Sequence, residues 1–397
     1  MFPGAEGFGV ATPAGRGGRV IRVTSLDDAG PGTLRAALAA AGARTIIFDV
    51  AGTITLTDYL EVTEPFVTLA GQTAPSPGIT LRGAGLEIST HDVLVQHLRV
   101  RVGDTDAGPD PENRDALQVL GPGAYNVVID HVSLSWATDE VASTWYPLRD
   151  VTIRHSIISE GLNRSAHPEG AHSSGLLIGD HSERVAVIGN LFAHNNDRNP
   201  LAKGNTSSLI VNNLIYDPGY RAIDLSDPED AGPLRASIVG NVMVRGPSSS
   251  ERGLVWISRS MKDGSRVFIA DNAAPRVLDG ARRSGADPVV REPPVWTSPL
   301  TVRPSGAVER WVLERAGARP ADRDAVDRRL VQEVRSRGGR VIDSQTEAGG
   351  WPALAPTTRA LALPANPGGD DDGDGYTNLE EWLHRLAAEV EGRRPAP

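Results

Sequence analysis

One stretch decides how the chain folds: Asn190-Leu-Phe-Ala-His194-Asn-Asn-Asp197-Arg198-Asn-Pro200-Leu-Ala-Lys203. It opens with the polar residue that ends one unit of a repeat, in which a short apolar, β-prone run stops at a histidine or an asparagine. A few residues later it places two cations, Arg198 and Lys203, around a proline. The repeat bears on the fold, and the two cations bear on the chemistry.

The repeat can be followed along much of the chain. Its members, aligned on the polar residue, are Val93-Leu-Val-Gln-His97, Val127-Val-Ile-Asp-His131, Val151-Thr-Ile-Arg-His155, Ala186-Val-Ile-Gly-Asn190, Leu209-Ile-Val-Asn-Asn213, Ser237-Ile-Val-Gly-Asn241 and Phe268-Ile-Ala-Asp-Asn272. Successive polar residues are 34, 24, 35, 23, 28 and 31 positions apart. A self-similar unit of about 20–50 residues is typical of solenoids, propellers and arrays.

The content of each unit narrows this choice. Period-two strands are bounded by Gly, Asn, Asp and Pro, and no helical run separates them, which excludes helical solenoids and βαβ folds. One strand per sheet per turn, with loops of variable length, predicts an all-β, right-handed parallel β-helix solenoid. We expect the repeated Asn and His side chains to be structural and to hydrogen-bond neighbouring coils at a tight bend.

Composition agrees with a solenoid and excludes other classes. The 397 residues include 43 Gly and 29 Pro, as many tight corners require, and no Cys, which excludes disulfides and thiol chemistry. No apolar run of about 18 residues is present, so we expect no membrane span. The net charge of −10 argues against a nucleic-acid partner. Met1 precedes Phe-Pro-Gly without a basic and apolar leader, so we expect a secreted protein in its mature form, acting as a monomer.

The chain order suggests three parts. Residues 1–275 are predicted to form the β-helix, with a short helix at Leu34–Ala41 capping its first coil. Residues 276–365 are predicted to be an extension packed on the solenoid, with a helix from Asp322 to Arg337 that stops at Gly338. Residues 366–397 form the last segment.

This last segment contains a pattern typical of an EF-hand calcium loop. Asp occupies positions 1, 3 and 5, Gly375 position 6 and Glu position 12, so that alternate oxygens surround a hard cation. Trp382, Leu383 and Leu386 predict the helix that such a loop requires. The expected ligands of this structural calcium ion are Asp370, Asp372, Asp374, Tyr376, Asn378 and Glu381.

A second group of acids lies on the solenoid. Coils stacked about 4.8 Å apart would bring Asp115, Asp139 and Glu140 close together, with Asn113 as a further oxygen ligand for a cation. Arg198 and Lys203 follow one or two coils later. An acidic cluster and a basic pair in one groove suit a uronate polymer, because a metal can bridge a sugar carboxylate while cations hold neighbouring sugars.

At these residues the chain resembles the pectate lyases, the calcium-dependent parallel β-helix polysaccharide lyases. The likeness covers roughly residues 2–275, and the stretches that carry it are Phe2-Pro-Gly-Ala-Glu-Gly-Phe-Gly9, Ala70-Gly-Gln-Thr-Ala-Pro75, Asp115-Ala-Leu, Ile129-Asp-His131-Val-Ser-Leu-Ser-Trp136, Thr138-Asp-Glu140, His172-Ser-Ser-Gly and Arg198-Asn-Pro200.

The resemblance implies roles for particular residues. Arg198 falls on the family's Brønsted base, Lys203 on a residue that binds substrate carboxylate, and Asp115, Asp139 and Glu140 on calcium ligands. Two departures matter. Trp136 stands where the family usually has the first acid of a pair spaced four apart, so which of Asp139 and Glu140 binds calcium stays open. A lysine at 203, where arginine is frequent, would weaken bidentate carboxylate recognition. Arg221, on the next coil, is a further candidate for substrate binding.

The implied reaction is calcium-assisted β-elimination of α-1,4-linked polygalacturonate, a plant-type acidic polysaccharide, to 4,5-unsaturated oligogalacturonides. Two alternatives use the same solenoid. An inverting glycoside hydrolase of the polygalacturonase type would use Asp115, Asp139 and Glu140 as acid and base and would release a saturated product. A non-catalytic carbohydrate-binding solenoid would use Arg198 and Lys203 only to hold the polymer.

Overall fold

The computed structural model describes residues 2–145, 147–280 and 287–393 of the chain. Successive strands enter a first, a second and a third sheet in turn and then return to the first. Neighbouring strands within each sheet are parallel, except for the antiparallel pair of Thr357–Thr358 with Val50–Thr55. This arrangement is the predicted parallel β-helix. Residues 281–286 of the predicted extension and 394–397 of the predicted calcium segment lie outside the described residues.

The strands of the three sheets are as follows. The first sheet contains Arg19–Val23, Arg44–Phe48, Val67–Ala70, Val93–Gln96, Tyr125–Asp130, Arg149–Arg154, Glu183–Ile188, Ser207–Val211, Arg235–Val239 and Arg266–Ala270. The second contains Val50–Thr55, Ile79–Arg82, Leu98–Arg101, Ser133–Ser135, Ile157–Ser159, Leu191–Ala193, Leu214–Tyr216, Val242–Val244 and Thr357–Thr358. The third contains Leu60–Val62, Leu86–Ile88, Leu117–Leu120, Glu140–Trp145, Ser174–Ile178, Leu201–Ala202, Ile223–Leu225, Val255–Ile257 and Leu278–Gly280.

The interior of the coil is filled by aliphatic side chains from all three sheets. Along Tyr125–Asp130, Val127 and Ile129 face this core and are fully buried, whereas Val128 between them packs in a separate cluster outside. This alternation follows from the period of two in a β-strand. Burial of each such side chain stabilises the fold by about 1.5–3 kcal/mol relative to an exposed one.

At the corner between the first and second sheets, the residues of successive coils align differently from the predicted repeat. Ile188 pairs with Arg154, so His155 is equivalent to Gly189 and not to Asn190. The predicted alignment of the histidines with the asparagines is therefore wrong by one residue. The corner residues share a left-handed backbone with positive φ: His97, His131, His155, Gly189, Asn212, Gly240 and Asp271.

The asparagines one position later form the ladder between coils. Oδ1 of Asn213 accepts from the backbone N–H and from Nδ2 of Asn190, at 2.9 and 3.0 Å. Asn241 accepts in the same way from Asn213, and Asn272 from Asn241. The ladder satisfies buried backbone and amide groups at the bend, which is the structural role expected for these asparagines.

The described residues form four α-helices, which are α1 (Leu34–Leu38), α2 (Ser305–Arg315), α3 (Ala325–Ser336) and α4 (Asn378–Glu391). Short 3-10 turns lie at Gly71–Thr73, Pro111–Asn113 and Gln345–Ala348. Helix α1 is shorter than predicted. Helix α3 begins after Asp324, whose side chain accepts from the Asp327 N–H, and ends where Arg337 takes a left-handed conformation. Helix α2 was not predicted from the sequence.

The C-terminal helices cover two of the three sheets. Apolar residues of α2 and α3, among them Val312 and Leu330, pack on the outer face of the second sheet. Trp382 and Leu383 of α4 pack against Ile47 of the first sheet. Within the described residues, no apolar cluster joins α2, α3 or α4 to the third sheet. The outer face of that sheet is therefore where a groove can lie. No described helix has the length and apolar character needed to cross a bilayer.

Candidate active site

The candidate site lies on the outer side of the third sheet, where parallel strands begin side by side. Leu117 pairs with Ala142, and Glu140 pairs with Ser174 on the next coil. Ser174 in turn bridges to Asp197. The register therefore places Asp115, Glu140 and Arg198 near the same edge within four successive coils, with the coil of Ser174 between those of Glu140 and Arg198.

Asp115 is fully buried at this edge. Its Oδ1 accepts from the Glu140 N–H at 3.0 Å, and its Oδ2 accepts from the Ser143 hydroxyl. Burial, and then the charge of Asp139, raise the pKa of Asp115 well above its usual range. A buried carboxyl with two acidic neighbours gains from a nearby cation, because the cation favours the ionised form.

Three carboxylates meet here. Oxygens of Asp115, Asp139 and Glu140 lie within 4.8 Å of one another. Oε2 of Glu140 is buried and has no hydrogen-bond partner among the described residues. Oxygen donors at this spacing suit a hard dication such as calcium. Asn113, the further oxygen ligand considered from the sequence, lies exposed in the turn Pro111–Asn113.

Asp139 also belongs to a second group on its other side. Its Oδ1 lies 2.9 Å from Nε2 of His172 and 3.8 Å from Nε2 of His167. The two imidazole rings stack with centroids 3.8 Å apart. Asp139 is therefore held by a histidine, whereas Glu140 faces Arg198.

Arg198 meets the carboxylate cluster directly. Its guanidinium forms an ion pair with Glu140. Burial lowers the pKa of Arg198, and the charges of Asp139 and Asp115, which raise it, do not outweigh burial. The residue has a left-handed backbone with φ of 58°, and its side chain is about three-tenths exposed. A guanidinium that is partly dehydrated yet reachable from the groove is thus fixed beside the acids.

Lys203 is only 8% exposed, which is less than expected for a residue on an open substrate-binding surface. Its Nζ lies 3.0 Å from Asp180 and 2.7 Å from Glu229. The ammonium also stands 5.9 Å from the centroid of the Trp145 ring. Asp180 and Glu229 had not been identified from the sequence, because they lie on loops whose paths the repeat does not determine.

Arg221 lies one coil further and is ion-paired with Asp224. Its guanidinium stands 4.6 Å from the Tyr220 ring and 5.3 Å from the Trp256 ring. Arg252 stacks on the same Trp256 at 4.2 Å. Asp224 had also been missed, although the alternation in Ala222-Ile-Asp-Leu225 turns it away from the core.

Trp136 is fully buried, and its Nε1 donates to Glu160 at 2.9 Å. It packs with the helices on the second sheet and lies outside the carboxylate cluster. Trp136, at the position where the resembled family usually has an acid, is therefore a packing residue. The acids close to Asp115 are Asp139 and Glu140.

The predicted EF-hand loop is held by its own backbone. Oδ1 and Oδ2 of Asp370 accept from the N–H groups of Gly373 and Gly375 at 2.8 and 3.1 Å. Oδ1 of Asp374 accepts from the Tyr376 N–H at 2.8 Å. Desolvation, and then Asp372 and Asp374, raise the pKa of Glu381. Asn378, at loop position 9, is the first residue of α4.

Comparison with solved structures defines the class. Jun a 1, the major allergen from cedar pollen, is similar with a TM-score of 0.61 and 22% identity, covering 79% of this chain and 92% of the other. A pectate lyase from Bacillus sp. N165 in complex with trigalacturonate gives a TM-score of 0.55 and 17% identity, covering 79% and 98%. At such identities the likeness concerns the fold alone, and it makes this chain a parallel β-helix protein.

Sequence relatives identify the family. A probable pectate lyase C of Aspergillus flavus is 32% identical over 413 residues, covering 97% of this chain and 93% of the relative. The corresponding protein of Aspergillus fumigatus is 33% identical over 416 residues with the same coverage. No protein-family model matches the chain. The chain belongs to the pectate lyase family.

Proposed function

We propose that the protein is a polysaccharide lyase that cleaves α-1,4-linked polygalacturonate by calcium-assisted β-elimination. The observation that carries this proposal is the contact of Arg198 with a cluster of three carboxylates, Asp115, Asp139 and Glu140. The cluster lies on the third sheet, which no apolar cluster of the described residues joins to α2, α3 or α4. Family membership supports the same reaction class.

Asp115, Asp139 and Glu140 would hold the calcium ion. The donor set fits, because it offers oxygens, because Glu140 Oε2 has no hydrogen-bond partner among the described residues, and because burial and the charge of Asp139 raise the pKa of Asp115. When bound, calcium would accept charge from the carboxylate at C5 of a galacturonate and so acidify the C5 proton.

Arg198 would take that proton. A guanidinium is a poor base because its pKa normally exceeds about 12, but burial lowers the pKa of this one. The electron pair of the broken C5–H bond becomes the C4–C5 double bond, and the C4–O bond breaks with its electrons remaining on the leaving sugar. Arg198 would act in its neutral form, because only a guanidine that has lost its own proton can accept the one at C5. Glu140, when it holds the ion, would stabilise the charged form of Arg198 less.

Lys203 and Arg221 would hold sugar carboxylates on either side of the cleaved bond. Both are paired with acids, Lys203 with Asp180 and Glu229 and Arg221 with Asp224. A substrate carboxylate would therefore replace one acid as partner. Glu229 is the candidate at Lys203, because its side chain is about half exposed whereas Asp180 is buried.

The remaining parts of the chain would support this site. Residues 1–275 would form the catalytic β-helix, residues 276–365 an extension that shields the second sheet, and residues 366–397 a calcium-stabilised segment with the loop ligands Asp370 to Glu381. Helix α1 would close the first coil, since Leu34, Ala37 and Leu38 are buried in the core. We further propose that the protein is secreted and acts as a monomer on this acidic polysaccharide.

The test is an assay of Arg198→Lys and Arg198→Ala on polygalacturonate with calcium, reading both the ultraviolet absorbance of the 4,5-unsaturated product and the reducing ends. The wild type should give both signals, and EDTA should remove both. Either variant should lose about 100-fold or more of the activity. Arg149→Ala is the matched control, because this arginine is about half exposed and stacks on Tyr125 outside the groove.

Each rival function gives a different result. Reducing ends without ultraviolet absorbance would indicate a hydrolase that uses the same carboxylates as acid and base. Binding of the polymer without either signal would indicate a non-catalytic solenoid. Near-normal lyase activity in Arg198→Ala would remove the base assignment, and full turnover in EDTA would remove the metal.

A further inference from the structure

A second cluster of ligand atoms lies away from the groove, where α4 crosses the corner between the first and second sheets. It consists of the corner residues His97 and His131 and of Glu391 at the end of α4. Their residue exposures are 0%, 5% and 9%. Nε2 of His97 lies 3.6 Å from Oε1 of Glu391, and Nε2 of His131 lies 3.5 Å from Oε2.

The far side of the His97 imidazole sets which of its nitrogens faces the glutamate as an acceptor. Nδ1 of His97 lies 2.8 Å from the Ala318 carbonyl. A carbonyl can only accept, so Nδ1 carries the proton, and in the neutral ring Nε2 presents its lone pair to the carboxylate. That nitrogen is buried and has no hydrogen-bond partner among the described residues. Nδ1 of His131 lies 3.0 Å from Asp130.

This pattern is the one found around histidine ligands of metals. Such a histidine usually turns its other nitrogen toward a backbone carbonyl or a carboxylate, which fixes the ring and its tautomer. His97 uses the carbonyl of Ala318, and His131 lies against the carboxylate of Asp130. Arg393 donates to Oε2 of Glu391, and ligating carboxylates are likewise hydrogen-bonded.

The spacing also fits a transition-metal ion. Bonds of about 2.0–2.2 Å from zinc to nitrogen or oxygen place two neighbouring ligands of a tetrahedron roughly 3.3–3.6 Å apart. Each imidazole nitrogen lies at about this separation from one oxygen of Glu391, His97 at 3.6 Å from Oε1 and His131 at 3.5 Å from Oε2. Two imidazoles and one carboxylate are a ligand set that zinc takes in proteins.

We propose that His97, His131 and Glu391 bind zinc or a similar borderline transition-metal dication. The ion fastens the last turn of α4 to two successive coils of the β-helix. A cleft of about 220 Å³ lined by His131, Glu391 and Arg393 gives access for the ion and for a water as fourth ligand. The site is structural, because the carboxylates around Arg198 lie on the third sheet. It does not depend on the proposed lyase activity.

Binding of zinc alone tests the site. The full chain, stripped with chelator and kept in excess calcium, is dialysed against zinc, and bound metal is counted by atomic absorption. The wild type should bind one more zinc ion than His97→Gln or Glu391→Gln, with an affinity for that ion at least about 100-fold higher, since loss of even an outer partner typically costs 10–100-fold. His172→Gln is the matched control, because it removes a histidine from a separate cluster, that of Asp139, His167 and His172, and should keep this ion.

Two further measurements keep the test decisive. Cobalt added in place of zinc should give the visible absorption of a tetrahedral site in the wild type and in His172→Gln, and lose it in Glu391→Gln. Zinc should also slow hydrogen exchange in α4 of the wild type, a result that does not depend on how well any variant folds. The proposal is overturned if the wild type binds no zinc tightly, if both His97→Gln and Glu391→Gln keep it, or if zinc leaves α4 unprotected.

Discussion

Replacing Asp327 by asparagine tests how the C-terminal extension is held on the second sheet. Nη2 of Arg101, in the strand Leu98–Arg101, lies 2.9 Å from Asp327 and 2.9 and 3.0 Å from the two oxygens of Asp324. Arg99 lies beside them, 3.6 Å from Asp324 and 3.8 Å from Asp327. Ser133 adds a hydrogen bond of 2.7 Å to Asp327.

The magnitude follows from burial. Arg99, Arg101 and Asp327 have no exposed surface, and Asp324 is only 5% exposed. Two guanidinium groups and two carboxylates balance one another here, so Asp327→Asn leaves one positive charge uncompensated in the interior. Breaking a buried pair by removing one partner typically costs about 3–5 kcal/mol. The matched control is Glu314→Gln, whose pair with Arg310 is largely exposed and should contribute less than about 1 kcal/mol.

The assay is chemical unfolding at neutral pH, followed by the fluorescence of Trp311 and the other tryptophans. Asp327→Asn should lower the free energy of unfolding by about 3–5 kcal/mol, and Glu314→Gln should leave it nearly unchanged. Equal stability of the two variants would refute the buried-charge argument. The dependence of the unfolding free energy on pH in acid gives an independent check. Neighbouring arginines lower the pKa of Asp324 to about 2 against the opposing effect of burial, so its contribution is present above about pH 4 and is lost as the pH falls toward 2.

Three further perturbations follow from particular contacts. Burial lowers the pKa of His194, but its two carboxylate partners outweigh burial and raise that pKa to about 9. Its contribution of roughly 3 kcal/mol should be full below about pH 6.5 and lost as the pH rises through 9, and unfolding of His194→Gln should lack this dependence. Asn213→Ala removes four side-chain hydrogen bonds to neighbouring coils and should cost about 3–4 kcal/mol by denaturant titration, whereas a cost below about 1 kcal/mol would contradict the ladder. Gly189→Ala places a Cβ 2.7 Å from Trp311 and should lower the melting temperature more than Gly121→Ala, which has a positive φ but open space; equal shifts would show that the contact has no effect.

The sequence predicted the coil but could not align its corners. An apolar strand that ends in His155 and one that ends in Asn190 look alike in one dimension. In space His155 takes the left-handed corner, while Asn190 stands one residue later and bonds the next coil. Gly189 holds the equivalent corner because a larger side chain would meet Trp311. That constraint comes from α2, a helix that the sequence pattern did not predict.

The candidate site could be predicted in part for a related reason. Asp115, Glu140 and Arg198 lie at or just before the starts of third-sheet strands, so the stacking of coils is enough to bring them together. The partners of Lys203 could not be found in this way. Asp180 and Glu229 stand on loops of different length between strands, and the path of a loop depends on contacts that a periodic pattern does not contain.

The position of the groove follows from what covers the other two sheets. Along the second sheet the outer residues Ile157, Leu191 and Leu214 are apolar and need α2 and α3 to bury them. On the third sheet one outward row runs through Gln118, Ser143, Leu177, Leu201 and Asp224. Three of these five positions are polar, and no apolar cluster among the described residues joins them to α2, α3 or α4. The charged outer face therefore lies on the third sheet, because α2 and α3 pack on the second sheet and α4 packs on the first. Helix α3 packs on the second sheet, away from the candidate cluster of Asp115, Asp139 and Glu140. Variants that loosen α3 should therefore lose activity only to the extent that they unfold.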